Sequence, residues 1–553
     1  MRTVLPVLIG LGAAVACQAA PICVEEASID ALRSALDTGR VTSTQLVDAY
    51  SARIAAFDQA GPTLNAVRAL NPAAKAIAAL RDAARRAGEA RLGPLDGIPI
   101  LIKDNIATGD RQATTAGSVA LADAVAHRDS FVAKRLRAAG AIILGKTNLT
   151  EFANFMADDM PSGYSSLAGQ VLNPYGPSLG ANGRPLIDPG GSSSGSGVAA
   201  ASSFAAAAIG TETSGSLLNP ASQNGLVTVK PTVGLISRAG IVPISSSQDT
   251  AGPMTRSVRD AALLLGVLTG VDPDDPATKA GARRVPTDYT RYLKADALKG
   301  ARIGVPRNPA DKANDVYYAL LDEQQAAIMD GVILTLKSLG ATIVEASIPT
   351  AGDLDAAHDK ATGIAIVNTN PLSDGKGETE HYPAVLVYEF KHDLNDYLAH
   401  YLPDAKVKSL ADIIALNQAA GERALRYGQD VLLAAQATRG DLSEKSYREA
   451  RRLDLKAART DGIDAYLSEH KLDAILFPSS SGADIAARAG YPSVEVPAGF
   501  LTQIKGRAVP SFPFGATFTG RAFSEGKLLG YAYAFETATK SRRPPLLGET
   551  CVP

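Results

Sequence analysis

At 553 residues, 46% hydrophobic and 20% charged, the chain is long enough for one large domain or two and apolar enough to bury a sizeable core. Lys and Arg total 55 against 57 Asp and Glu, a formal charge of −2 with no basic block, which argues against a nucleic-acid footprint. Fifty glycines point to many tight turns, and three cysteines at the chain ends exclude both a Cys/His zinc spacing and a mid-chain cysteine nucleophile.

Arg2 precedes an apolar run from Val4 to Ala16 and small residues up to Ala20, the pattern of a signal peptide cut near Ala19 or Ala20. The run is too short for a stable membrane span. Residues 1–20 are therefore predicted to be a leader, and the mature chain to be secreted or periplasmic. A buried first helix is one alternative. A lipoprotein held through Cys17 is another, although Ala14-Val15-Ala16-Cys17 lacks the usual leucine. Cleavage leaves Cys23 and Cys551 at opposite ends of the chain, either paired in an oxidising compartment or free.

Residues 24–92 read as helical, with a capping box of Thr42 and Gln45 ahead of Leu46, Tyr50 and Ile54. The turn Gly93-Pro94-Leu95-Asp96-Gly97 feeds an apolar strand over 98–102 that ends at Lys103 and Asp104. Residues 141–144, 303–305, 343–344 and 475–477 are further apolar runs of strand length. Helical patterns over 132–139 and 316–339 separate them. Alternating strands and helices imply an α/β protein with a mainly parallel or mixed sheet. Residues 352–470 carry more charge and a helical pattern, with Tyr388-Glu389-Phe390-Lys391 leading into residues 394–402; they read as a helical insertion or cap over the core. No long linker and no internal repeat divides the chain.

The densest run of chemistry-bearing residues spans 188–220. Gly190-Gly191-Ser192-Ser193-Ser194-Gly195-Ser196-Gly197 has the composition of a linker. Residues 198–208 are small, apolar and helix-favouring, so this loop instead abuts a buried helix. Backbone N–H groups at such a helix start can hold an anion or a developing oxyanion. Gly210-Thr211-Glu212-Thr213-Ser214-Gly215-Ser216 places several consecutive amides beside one serine. A nucleophile with donors for a tetrahedral oxygen is what acyl transfer needs.

That serine needs a base. His127, His358, His381, His392, His400 and His470 all lie away from the Gly-rich loops and the strand-end motifs. Lys103 is the better candidate. At the end of an apolar strand its ammonium loses hydration, its pKa falls, and the neutral amine can accept a proton. Two other patterns fail on context. Gly140-Ala141-Ile142-Ile143-Leu144-Gly145-Lys146-Thr147 fits the P-loop spacing, but its middle is a strand-like aliphatic run. Gly191-Ser192-Ser193-Ser194-Gly195 fits a nucleophile elbow at Ser193, but Asn182-Gly183-Arg184-Pro185-Leu186 before it is a poor strand.

These residues resemble the amidase signature family. Its hallmark Gly-Gly-Ser-Ser-Gly-Gly-Ser appears as Gly190-Gly191-Ser192-Ser193-Ser194-Gly195-Ser196, and Ser216 follows Ser192 at 24 positions, the family's spacing. The lysine strand Gly97-Ile98-Pro99-Ile100-Leu101-Ile102-Lys103-Asp104-Asn105 matches too. So do Thr114-Thr115-Ala116-Gly117-Ser118, Gly145-Lys146-Thr147-Asn148, and the stretch from Val229 through Met254. The likeness is strong over 25–265 and weaker over 470–536.

The resemblance implies the amidase signature fold: a single α/β domain over 21–553, with a large mixed β-sheet core surrounded by helices. It implies Ser216 as nucleophile through an acyl-enzyme, Ser192 as proton relay after a strained or cis peptide bond, and Lys103 as base. It further implies the backbone amides of Thr213, Ser214, Gly215 and Ser216 as oxyanion hole, and no metal or cofactor. Two departures stand out. Glu212 and Ser214 replace the family's Asp and Gly, and Leu218 stands where an arginine is common. That loss bears on the support of the loop or on a preference for acidic substrates. Residues 154–187, with Gly163-Tyr164-Ser165, Gly169-Gln170 and Asn173-Pro174-Tyr175, resemble the peptide amidase branch, which removes ammonia from C-terminal peptide carboxamides. A broad-specificity aliphatic, aryl or fatty acid amide hydrolase is the alternative, and a catalytically silent amide-binding protein the next.

Overall fold

The computed structural model describes residues 21–88, 93–281, 286–354 and 363–552. The leader expected over 1–20, Cys17 and His358 lie outside the described residues. An eleven-stranded mixed sheet runs through the molecule. From edge to edge its strands are Thr342–Glu345, Arg302–Val305, Ala474–Pro478, Arg507–Thr519, Ser493–Ile504, Val227–Lys230, Thr250–Thr255, Ala207–Glu212, Pro99–Lys103, Ile142–Thr147 and Val67–Leu70. Pro99–Lys103 pairs in parallel with both Ile142–Thr147 and Ala207–Glu212. All three are buried along their whole length. A parallel strand covered on both faces needs apolar side chains at every position, which is why these segments do not alternate.

The expected strands at 98–102, 141–144, 303–305, 343–344 and 475–477 all lie in this sheet. Four corrections follow from pairing that local pattern does not reveal. Residues 24–92 are not wholly helical. The helices Ile29–Asp37, Ser43–Phe57 and Ala74–Arg86 are interrupted by Val67–Leu70, which pairs antiparallel with Ile142–Thr147 as the sheet edge. The helix after the Gly/Ser loop stops at Ala201 rather than 208. Alanines favour helix, but Ala207 and Ala208 are drawn into parallel register with Ile100 and Leu101. The helix expected over 316–339 starts at Glu323, where Asp322 and Gln325 form a capping box. The long hairpin Ser493–Ile504 and Arg507–Thr519 and the strands Val227–Lys230 and Thr250–Thr255 add to the expected strands. The capping box of Thr42 and Gln45 forms as expected.

Helix Ser194–Ala201 carries nothing larger than valine, and all eight of its residues are buried. It lies against the Pro99–Lys103, Ala207–Glu212 and Thr250–Thr255 strands. A Cβ on Gly195 would come within 2.4 Å of the carbonyl oxygens of both Ala66 and Asn148, so only glycine permits this approach.

Within 352–470 lie the helices Ala384–Tyr401, Leu410–Ala420, Asp430–Gln436 and Lys445–Asp454, together with an unforeseen antiparallel pair, Ile364–Val367 and Thr379–Tyr382. Phe390, Leu394 and Val431 from these helices share an apolar cluster with Phe152, Phe155 and Met156, which follow the Ile142–Thr147 strand.

The chain ends meet. Ile22–Cys23 pairs antiparallel with Cys551–Val552, and a disulfide joins Cys23 to Cys551 across 528 positions of sequence. A cross-link closing so long a loop restricts the unfolded chain. Cys23→Ser or Cys551→Ser is expected to lower stability by about 2–4 kcal/mol. Calorimetry under non-reducing conditions should show a lower unfolding temperature, and dithiothreitol should bring the unsubstituted protein down to the same value. An equal unfolding temperature in all three samples would contradict this.

Candidate active site

Lys103 ends its strand with no solvent exposure. Its Nζ donates to Ser192 Oγ at 2.8 Å, Ser193 Oγ at 3.0 Å and Thr211 Oγ1 at 3.0 Å, with the Thr211 carbonyl at 3.4 Å. Thr211 is on the neighbouring parallel strand, and Ser192 and Ser193 immediately precede the small-residue helix. Three elements thus converge on one amine. Burial strips water from the ammonium and pushes its pKa down to about 7, against the opposing pull of Asp249 and Glu212. The amine is accordingly poised to gain and lose a proton near neutrality.

The peptide bond between Gly191 and Ser192 is cis, in keeping with the expectation for that position. The loop is tied down on several sides. Thr150 N–H donates to the Ser192 carbonyl at 3.1 Å, and Gly191 N–H donates to Asn219 Oδ1 at 3.0 Å. Ser193 N–H donates to the Ser216 carbonyl at 3.2 Å, which fastens the two serine loops together.

Ser216 is 6% exposed and sits beside Ser214, which is open to solvent. Among the described residues no hydrogen bond joins the Ser192 and Ser216 hydroxyls. The N–H groups of Thr213, Ser214, Gly215 and Ser216 likewise donate to no protein acceptor there. Four unengaged amides in the loop that carries Ser216 are free to receive a developing negative charge. Gly215 has φ +81°, which favours glycine, whereas Ser214 stays out of the positive-φ region. The replacement of glycine at position 214 therefore costs the backbone nothing.

The support that the missing arginine left in question comes from Glu212 and Asn219. One Glu212 carboxylate oxygen accepts from the N–H groups of Leu217 at 2.8 Å and Leu218 at 3.0 Å, capping the short helix Leu218–Gln223. Leu218 itself is fully buried.

Both rejected patterns are explained by their surroundings. Lys146 lies within the buried Ile142–Thr147 strand, with its Nζ on the Ile106 carbonyl and on Thr114 Oγ1 at 3.2 Å, not in a phosphate-wrapping loop. The Ser193 hydroxyl donates to the Thr211 carbonyl at 2.9 Å and accepts from Thr211 N–H at 3.2 Å and from Lys103, so it is a structural hydroxyl. Among the described residues, His127, His381, His392, His400 and His470 form no hydrogen bond with Lys103, Ser192 or Ser216. The one described grouping of His, Cys, Asp and Glu tight enough for a metal ion is Cys23, Glu549 and Cys551, two of which are consumed by the disulfide. No described helix is long and apolar enough to cross a membrane.

Sequence reading overlooked Thr211, Ser193 and Asn105 as neighbours of the amine. Asn105 Nδ2 donates to Thr211 Oγ1 at 2.9 Å, extending the network one step. Asn105 stands two places after Lys103, and Thr211 sits in the same Gly/Thr/Ser run as Ser216; no local pattern says that these side chains point at one another.

A family model described as Amidase matches residues 45–529. A probable amidase of Arabidopsis thaliana is 38% identical over 526 residues, covering 94% of this chain and 92% of that protein. The native peptide amidase of Stenotrophomonas maltophilia superposes with a TM-score of 0.80 at 42% identity, covering 94% of this chain and 98% of that one. An amidase family protein from Bacillus anthracis str. Ames superposes with a TM-score of 0.80 at 34% identity, covering 95% of this chain and 93% of that one.

Proposed function

The chain belongs to the amidase signature family and is an amide hydrolase, and on that premise we propose that it works through Ser216, Ser192 and Lys103 on the C-terminal carboxamides of peptides. The observation that carries the reading is the buried Lys103 to Ser192 contact at 2.8 Å, beside the unengaged amides of 213–216. Neutral Lys103 takes the proton of Ser192 as Ser192 takes that of Ser216, and Ser216 Oγ bonds to the amide carbon. The former carbonyl oxygen takes the negative charge and is held by the N–H groups of Thr213 to Ser216. Collapse of the tetrahedral species breaks the carbon–nitrogen bond. The proton held on Lys103 returns through Ser192 to the nitrogen, which leaves as ammonia. Water repeats the sequence on the acyl ester and releases the acid. The gap between the two serine hydroxyls is in keeping with catalytic hydrogen bonds that tighten once substrate binds.

Support for a peptide carboxamide is the 42% identity, over 94% of this chain, to a protein named a peptide amidase. The Cys23–Cys551 disulfide supports an oxidising compartment for the folded chain, in line with export. The test is ammonia release from N-acylated dipeptide amides, measured beside the matching free acids and a panel of aliphatic, aryl and fatty acid amides. The expected kcat/KM on the peptide amides exceeds that on simple amides by at least about tenfold, the discrimination that one or two apolar side-chain contacts supply. Equal turnover across the panel would replace this reading with a broad-specificity hydrolase. Release from no amide would leave only a binding function.

A further inference from the structure

Resting on that reading of the reaction, we propose that Asp249 is a positioning residue: its carboxylate clamps the loop that carries the oxyanion donors and Ser216. Asp249 lies just before the Thr250–Thr255 strand and is 9% exposed. One of its oxygens accepts from Thr213 Oγ1 at 2.5 Å. The other accepts from the N–H groups of Ile244 at 2.8 Å and Ser245 at 2.9 Å. The carboxylate therefore joins the first residue of the 213–216 loop to the 244–245 turn. All its partners are donors, so the job needs two acceptor oxygens. An asparagine has one oxygen and must turn its NH2 towards donors at one end.

Among the described residues the bond to Asp249 is the one side-chain hydrogen bond of Thr213. Thr213 also borders a small cavity that contains Asn105, Thr211, Ile244 and Asp249, directly behind the Lys103 network. Asp249 also lines a larger cavity of about 390 Å³, together with Arg238, Asp393 and Tyr397. Without that link to the 244–245 turn, the donors at 213–216 would no longer be aimed in advance, and preorganisation is what gives them their effect.

The same carboxylate bears on the base. Asp249 and Glu212 are the acids whose charge favours protonation of Lys103. Facing Asp249 are Arg238 from the 237–241 turn and Asp393 from helix Ala384–Tyr401. Burial pushes the Asp249 carboxyl up to about 7, so the two-acceptor clamp and its charge are present above that pH and are lost together as pH falls through it. Removing its charge takes away a group that raises the Lys103 pKa. The acid limb of the rate profile, where Lys103 and Asp249 both take up protons in the unsubstituted protein, is left to Lys103 alone in Asp249→Asn and moves to lower pH.

The test compares Asp249→Asn, Thr213→Val, Thr213→Ser and the Asp249→Asn/Thr213→Val double variant in the full chain, using kcat and KM for ammonia release against pH. Asp249→Asn and Thr213→Val should each lower kcat about 10- to 100-fold with KM changed less than about threefold, short of the full loss of one oxyanion donor. The double variant should fall no further than the weaker single one, because both remove the same link. Thr213→Ser should recover at least about tenfold of the kcat that Thr213→Val loses, since it keeps the hydroxyl. Asp249→Asn alone should shift the acid limb downwards. Single-variant rates near that of the unsubstituted protein would overturn the proposal. So would multiplied losses in the double variant, or an unmoved acid limb in Asp249→Asn. If Asp249→Asn fails to fold, the contrast between Thr213→Val and Thr213→Ser decides. Ammonia release and labelling of Ser216 in the unsubstituted protein are measured first. Their absence would sink the reaction, whereas their presence with an indifferent Asp249→Asn would sink only this inference.

Discussion

Ser216→Ala is expected to abolish ammonia release, with kcat down about 10⁴-fold or more, while the protein keeps its fold. The size follows from the chemistry. Without the hydroxyl no acyl-enzyme forms, and the four amides at 213–216 and the binding surface can only assist direct attack by water. The stability side is small. Ser216 Oγ makes no hydrogen bond among the described residues, so its removal strands no partner. The neighbouring links survive because they use the Ser216 carbonyl and the Glu212 carboxylate, not the side chain. A fluorophosphonate should add once to the unsubstituted protein, on Ser216, and not at all to the variant, as read by mass spectrometry of peptides. Labelling at Ser193 instead, or undiminished turnover in Ser216→Ala, would end the assignment.

Lys103→Met should lower kcat/KM by roughly 10³-fold, within the range for loss of a general base. In the unsubstituted protein the rate should fall below a pH midpoint near 7, because the amine must be uncharged to accept the Ser192 proton and burial sets its pKa at about 7. The stability consequence runs in the opposite sense to an ordinary ion pair. In the unfolded chain this lysine keeps its ordinary pKa of 10.5, so between about 7 and 10.5 the unfolded state holds a proton that the native state lacks. Native stability therefore rises with pH across that window, and below it the full cost of the buried cation, on the order of 5 kcal/mol, is present. Lys103→Met removes this contribution, although Ser192, Ser193 and Thr211 each lose a donor. Denaturant titrations from pH 7 to 10 should show a slope for the unsubstituted protein that flattens in the variant. Identical slopes, together with a rate profile lacking a limb near 7, would show a solvated lysine with another role.

Much of this site is legible in one dimension, because its parts lie on strand ends and the loops that follow them. An all-apolar run stopping at Lys103 announces a buried strand delivering a charge to its edge. The Gly/Ser run before a stretch of small residues announces a tight loop on a helix that must fit a crowded core. Those features depend on neighbours a few residues away, and the pattern of residues 98–103 and 190–201 records them. The amidase signature family follows from the same segments, since their order and the 24-position gap between Ser192 and Ser216 are properties of the chain itself.

What the chain could not disclose depends on partners far away in sequence. Ala207 and Ala208 read as helix until the lysine strand takes them into its register, and Val67–Leu70 is a strand because an edge at Ile142–Thr147 needed a neighbour. Asp249 and Thr213 are 36 positions apart, and Glu212 acquires its task because two amides of the following turn fold back onto it. The lowered pKa of Lys103 was expected from its place at the end of an apolar strand, but its extent is tertiary. A strand end can be wet or dry, and the Ser192 loop together with the Thr211 strand closing over the amine is what removes its water. Hydration, hydrogen-bond geometry and field are set by groups brought together through folding, so the sequence determined which residues are candidates for the chemistry, and only the packed structure decided in what state and against which partners they stand.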